Sequence, residues 1–165
     1  MASVMKKLFF VFVVAGIVVF FGCGKNLPDV SPCTDKPVTA DSSALLQFAR
    51  DSSIQVTKDS SGLYYQILDT GNKQRPVLSS NVMVTYVARL TLTGAVFDSA
   101  TNSNLMGYPV YRLIKAWQIG LPKIGVGGHI KMLVPSDYGY GCTGYLPFVP
   151  GDATLYFDVW LLQVN

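Results

Sequence analysis

The sequence predicts an antiparallel α+β domain, about five or six strands arranged around one short helix. Three observations carry that expectation. Val82, Val84, Tyr86, Ala88 and Leu90 alternate with Met83, Thr85, Val87 and Arg89, the period of a strand with one strongly apolar face. Leu113, Ile114, Trp117 and Leu121 share one face of a helical period. All ten acids are Asp and none is Glu, so good acidic helix formers are missing and a sheet-rich chain is favoured.

The elements follow in order. Residues 8–21 are an unbroken apolar run, preceded by Lys6 and Lys7 and followed by Gly22-Cys23. A basic start, an apolar core and a small residue at its end describe a secretory signal over residues 1–22. A membrane-spanning helix is the competing reading, but this run of 14 residues is shorter than the roughly 20 a bilayer needs. Cys23 directly after Gly22 resembles the lipidation site of bacterial lipoproteins, although Phe20 stands where Leu is usual. Residues 23–40 are polar and contain three prolines between Leu27 and Val38, which reads as an extended tether. Asp41 can act as an N-cap for a two-turn amphipathic helix with Leu45, Leu46, Phe48 and Ala49. Ile54, Val56 and Lys58 to Gly62 read as a strand end and a turn, closing an N-terminal helix-and-turn segment, 41–61. No chemistry is assigned to it.

The main domain is expected over 62–165. Leu63 to Gly71 reads as a strand ending in a glycine turn, and 72–80 as a loop. The strand 82–90 leads through a hairpin at Thr91 to Gly94 into a return strand, Ala95 to Asp98. After a polar loop, Met106, Tyr108 and Val110 alternate again. The helix Leu113–Leu121 is expected to end at Pro122 and Gly125. His129 to Val134 is a strand, with His129 read as a surface residue. A loop rich in Tyr, Gly and Pro follows, and Ala153 to Leu162 closes the domain as a strand.

Composition excludes several functions. Removing residues 1–22 lowers the net charge from +3 to +1, too balanced to suggest nucleic acid. One His and no CxxC spacing argue against a metal centre. With Cys23 lipidated, Cys33 and Cys142 remain in an oxidising compartment. They can pair, closing a loop of about 100 residues worth roughly 4.7 kcal/mol in the entropy model. They can also stay separate thiols, and the position of Cys33 in the tether favours that reading.

The loop between Val134 and Leu155 suggests the wall of an apolar pocket, because glycines allow tight backbone and tyrosines bring apolar faces with polar tips. Six motifs then stand in one order: Val84-Thr-Tyr86; Phe97-Asp98-Ser99; Ile114-x-x-Trp117-x-x-Gly120; Gly125-x-Gly-Gly; Asp137-Tyr-x-Tyr140-Gly141; and Ala153-Thr-Leu-x-Phe157-Asp-Val159. From about Gly62 to Asn165 this resembles an FKBP-type peptidyl-prolyl cis–trans isomerase.

The resemblance implies a twisted antiparallel half-barrel wrapped around one short helix, with the pocket between helix and sheet. Trp117 would form the pocket floor, and Tyr86, Phe97 and Phe157 its walls. The Ile114 N–H, beside Leu113 at the helix start, would bond one substrate carbonyl and the Tyr140 hydroxyl another. Asp98 would sit at the edge, within reach of Tyr86. Tyr145, Phe148 and Val149 would overhang the substrate. Met106 and Tyr108 stand where a pair of aromatics is usual, and Ser103 near the place of a frequent arginine. The small residue usual before the second loop tyrosine is Gly139.

Isomerising an X–Pro bond breaks no covalent bond, so neither cofactor nor metal is implied, and proline-containing polypeptides are the expected partners. The expected setting is the bacterial cell envelope, where a monomer would be held at the membrane by its N-terminal lipid, face the periplasm and assist exported proteins. A catalytically weak chaperone or binding module of the same fold is the alternative. Each residue also has a plainer reading: Trp117 and Phe157 as core, Asp98 as a turn acid, Tyr140 as a loop stiffener. Those readings leave the common order of the motifs unexplained.

Overall fold

A computed structural model describes residues 32–72, 74–101 and 107–165. The expected signal segment over 1–22, Cys23, the expected tether as far as residue 31, Ser103 and Met106 lie outside the described residues. The fold is a twisted antiparallel half-barrel packed around a short helix. Its strands are β1 (Thr57–Lys58), β2 (Tyr64–Asp69), β3 (Asn81–Leu90), β4 (Val96–Ala100), β5 (Tyr108–Pro109), β6 (His129–Val134) and β7 (Leu155–Val164). They run in the order β1-β2-β6-β7-β3-β4, with β5 also paired to β3. Seven strands are present among the described residues where about five or six were expected; the strand end read near Lys58 and the alternation around Tyr108 are each reduced to a two-residue strand, β1 and β5.

The closing strand β7 lies between β6 and β3. Its register with β3 runs from Val82↔Val164 to Leu90↔Leu155, and with β6 from His129↔Trp160 to Val134↔Leu155. Alternation then decides the faces. Val84, Ala88, Ile130, Met132, Phe157, Val159 and Leu161 are buried in one core. Onto that core packs α2 (Lys115–Gly120). Six residues are too few to hold a helix alone, so packing holds it. Ala116, Trp117 and Gly120 are its buried positions. A side chain at Gly120 would approach the Met132 sulfur to 2.2 Å, so glycine is what lets α2 settle on β6.

The other sheet face carries α1 (Ser42–Asp51), which buries Leu45 and Ala49 against Tyr64, Leu133 and Tyr156. His129 lies on this face as well. It is partly buried rather than a free surface residue, because its Nε2 meets Asp158 at 2.5 Å and its ring stacks on Trp160 at 3.8 Å.

Several expectations require correction. Helix α2 begins at Lys115, so Leu113 and Ile114 are extended backbone ahead of it. A 3-10 turn, Val110–Arg112, precedes them, and the Gln118 amide donates to the Leu113 and Tyr111 carbonyls, fixing that entry. Pro122 does not stop the helix at once: it sits near the start of a 3-10 turn, Leu121–Lys123, where a missing N–H costs little. Val110 begins a turn instead of continuing a strand.

The largest correction is at the N-terminus. Cys33 and Cys142 form a disulfide; they are not separate thiols. The reason is that residues 33–41 lie on the domain. Lys36 pairs with Asp152 at 3.0 Å. Val38 packs against the core and touches the position of Gly62. Asp41 does not cap its own helix. Its buried carboxylate accepts from the Ser136 N–H at 2.8 Å and the Ser136 hydroxyl at 2.7 Å.

Candidate functional site

Between α2 and the sheet lies a cavity of about 610 Å³. Trp117, 5% exposed, forms part of its lining. Two neighbours stand edge-on to it, and a third ring stands edge-on to one of them. The Tyr86 ring lies 5.0 Å from Trp117 at 89°, the Phe157 ring 5.5 Å from Trp117 at 88°, and Phe97 meets Phe157 at 6.0 Å and 88°. Edge-to-face pairs are the favourable arrangement for aromatic quadrupoles, so the walls brace one another. These residues converge because β3 and β7 are neighbours and the helix start lies over both.

Polar groups are few. The Tyr86 hydroxyl donates to Asp98 at 2.6 Å. Burial, then the bond to Asp98 and its charge, hold the Tyr86 proton far more tightly than in free tyrosine. Tyr140 is shifted the same way, by burial first and then by the charge of Asp98. Both phenols therefore remain donors at neutral pH. Among the described residues, the Tyr140 hydroxyl, the Ile114 N–H and the indole Nε1–H of Trp117 meet no acceptor. The Ile114 N–H is one of the donors a helix start leaves open. Trp117 Nε1 is buried besides. The Tyr140 hydroxyl and the Ile114 N–H, beside an aromatic surface, suit a ligand that brings carbonyl oxygens and an apolar ring.

Most of the expected residues come together. Tyr86, Asp98, Tyr108, Leu113, Ile114, Trp117, Tyr140, Tyr145 and Phe157 all line the cavity. Phe97 stands behind it, packed on Tyr140 at 6.3 Å. Tyr145 stacks on Tyr140 at 5.5 Å, and Phe148 packs against Tyr145 at 5.9 Å with about half its surface exposed. Val149 is a correction. It is 1% exposed and belongs to the core, because its backbone pairs with Tyr145 and turns the side chain out of solvent. Met106 lies outside the described residues. Val82, Val84 and Arg112 line the cavity without having been expected. The valines share the apolar face of β3 with Tyr86 and were readable from its period; Arg112 carries no local signal. Among the described residues, no cluster of three or more His, Cys or Asp side chains is placed to hold a metal.

Comparison with known proteins points the same way. The family model for FKBP-type peptidyl-prolyl cis-trans isomerase matches residues 72–162. FkpA, an FKBP-type peptidyl-prolyl cis-trans isomerase of Escherichia coli, is 34% identical over 120 residues, 72% of this chain. The chain spans less than half of that relative, 43% of its length. A peptidyl-prolyl cis-trans isomerase of Schizosaccharomyces pombe is 34% identical over 108 residues, 63% of this chain and 96% of its own. The crystal structure of a peptidyl-prolyl cis-trans isomerase from Pseudomonas syringae pv. tomato superposes with a TM-score of 0.65 at 26% identity, covering 81% of this chain and 99% of that one.

Proposed function

This chain belongs to the FKBP-type peptidyl-prolyl cis-trans isomerase family, and on that premise we propose that it isomerises X–Pro bonds in proteins exported to the bacterial cell envelope. The observation that carries the reading is the pair of unengaged donors, the Tyr140 hydroxyl and the Ile114 N–H, on a cavity lined by Trp117, Tyr86 and Phe157.

The physics follows from the bond. Resonance makes the amide planar and sets a barrier of about 18–20 kcal/mol. Rotation removes that resonance and with it the charge separation of the planar form. An apolar aromatic wall costs the twisted state less than it costs the planar state, and that difference is what accelerates the reaction. The proline ring would rest on Trp117. Tyr140 and the Ile114 N–H would hold the carbonyls on either side, so that rotation is confined to one bond. Asp98 keeps the Tyr86 phenol directed through its bond to that hydroxyl and places its charge at the edge of the cavity. Each 1.36 kcal/mol of preference for the twisted state gives about tenfold in rate.

Export is supported by the N-terminal sequence and by the Cys33–Cys142 disulfide, since such bonds persist in oxidising compartments. Lipidation of Cys23, with the membrane as partner, completes the reading. Proline-containing polypeptides are the substrates, and the protein acts as a monomer.

The test is a refolding reaction limited by prolyl isomerisation, run with the full chain in detergent. Acceleration is expected, and Tyr140→Phe should reduce it about tenfold, the worth of one hydrogen bond. No acceleration by the wild type refutes the isomerase reading; binding of the unfolded client without acceleration would make the protein a binding module. Intact mass of the protein purified from the envelope tests the lipid: an unmodified Cys23 removes the anchor.

A further inference from the structure

Tyr140 sits in a loop that is fastened from outside the family-matched span. Four residues before it, Ser136 gives both its N–H and its hydroxyl to Asp41, at 2.8 and 2.7 Å. Two residues after it, the Cys142 N–H donates to the Asp35 carboxylate at 2.7 Å. Between them, the Gly141 N–H donates to the Ser136 carbonyl at 2.9 Å, and the Asp152 N–H to the Gly141 carbonyl at 2.9 Å. The disulfide joins Cys33 to Cys142, and Lys36 reaches Asp152 at 3.0 Å. One short segment, residues 33–41, thus grips the loop ahead of Tyr140, behind it and at its far end.

The fit at Asp35 is close. Gly141 has φ +59, and a side chain there would come within 2.3 Å of the Asp35 carboxylate oxygen. Glycine supplies both the left-handed backbone and the room for the carboxylate. The bond from Cys142 is charge-assisted, the stronger kind of hydrogen bond. The family model begins at residue 72, so this contact belongs to the part of the chain that the family pattern does not describe.

We infer that residues 33–41 are a strap that holds the Tyr140 hydroxyl in its working position, with Asp35 as the positioning residue. The inference rests on the reading that Tyr140 meets a substrate carbonyl. Asp35 touches no substrate; it acts by fixing the turn that carries Tyr140. The disulfide keeps the segment close enough for that bond to form, and Asp41 holds its other end. A purely stabilising segment would predict a different pattern of effects, because its loss would lower activity to the same degree with or without the Tyr140 hydroxyl.

That contrast sets the experiment. Asp35→Ala, Asp35→Asn, Tyr140→Phe and the Asp35→Ala/Tyr140→Phe pair are made in the full chain. Their kcat/KM is measured on a proline-containing peptide, well below the melting temperature of each. Displacement by about 1 Å costs up to roughly a hundredfold, so Asp35→Ala is expected to lose about three- to thirtyfold. Asp35→Asn keeps an acceptor for the Cys142 N–H and should recover most of that loss. In the Tyr140→Phe background, Asp35→Ala should change the rate by less than about twofold, the non-additivity expected of residues acting as a unit. An equal loss in both backgrounds, or no loss from Asp35→Ala in an active enzyme, overturns the proposal. Amide exchange at residues 141–144 is read on the same proteins and needs no activity. Exchange about tenfold faster in Asp35→Ala supports the strap, and unchanged exchange overturns it. A wild type inactive on every peptide would refute the isomerase reading alone, and the exchange result would then decide the strap.

Discussion

Replacing Trp117 by Phe separates the stability of the fold from the working of the site. The side chain is 5% exposed, so nearly all its surface counts. Shrinking the indole to a phenyl ring removes on the order of 40–50 Å² of buried apolar area, about 1 kcal/mol at 25 cal/mol per Å². The indole Nε1–H is buried without a partner among the described residues, and such a group costs about 1–3 kcal/mol. Phenylalanine removes that penalty. The two effects oppose each other, so Trp117→Phe should leave unfolding stability unchanged or raise it by up to about 2 kcal/mol, whereas Trp117→Ala should cost about 3–5 kcal/mol. Activity should not follow the same order. The indole makes the edge-on contacts at 5.0 Å to Tyr86 and 5.5 Å to Phe157 that set the walls. Trp117→Phe should therefore lose about tenfold in kcat/KM, some 1.4 kcal/mol, while staying folded. Urea unfolding with an unchanged m value reads the first quantity, and proline-limited refolding of a client reads the second. If Trp117→Phe costs about 1 kcal/mol or more in stability, the unpartnered N–H is not the opposing cost described here and the reasoning fails.

Two further outcomes follow from the charges. Tyr86, Tyr140 and Tyr156 all hold their protons more tightly folded than the ordinary tyrosine value of 10.0, burial being the first cause in each. Their folded values lie above the unfolded one, so their stabilising contribution is complete below pH 10 and is lost as pH rises beyond it. Urea midpoints should thus be level with respect to these groups from pH 7 to about 9.5 and fall above pH 10, and Tyr86→Phe should weaken the fall; an equally steep loss in that variant would exclude Tyr86 as a contributor. Arg112 is the one basic residue among those lining the cavity, and Asp98, the one acid there, is engaged by Tyr86. Peptides with Asp beside the X–Pro bond should be turned over about threefold faster than those with Lys at low salt, with the order reversed in Arg112→Glu and the difference shrinking as salt rises. Identical ratios in both proteins would show that Arg112 does not meet the substrate.

What could be read in the sequence is whatever a local period or an ordered motif encodes. The period of two in 82–90 gave β3 and its core face, and it contained Val82 and Val84 as cavity residues. The motif order brought Tyr86, Asp98, Ile114, Trp117, Tyr140 and Phe157 to one cavity. Local signals misled where a second interaction competed for the same residue. Asp41 looks like an N-cap, but Ser136 offers its carboxylate two buried donors from 95 residues away, and a buried pair of bonds outweighs an exposed cap. Val149 looks like a loop contact, but the short pairing of Tyr145 with Val149 commits its side chain to the core. The proline-rich stretch before residue 41 reads as a tether because nothing within it has a period. Residues 33–36 are placed by partners in the loop beyond Tyr140: Cys33 bonds 109 residues ahead, Asp35 reaches Cys142 and Lys36 reaches Asp152. Spacing alone does not choose between a disulfide and two thiols at that separation. The bond from the Cys142 N–H to Asp35 joins the same two stretches of chain as the disulfide does. The same three contacts that escape a local reading are the ones that reach the loop of Tyr140, which is why residues 33–36 count toward the candidate site although they carry no motif.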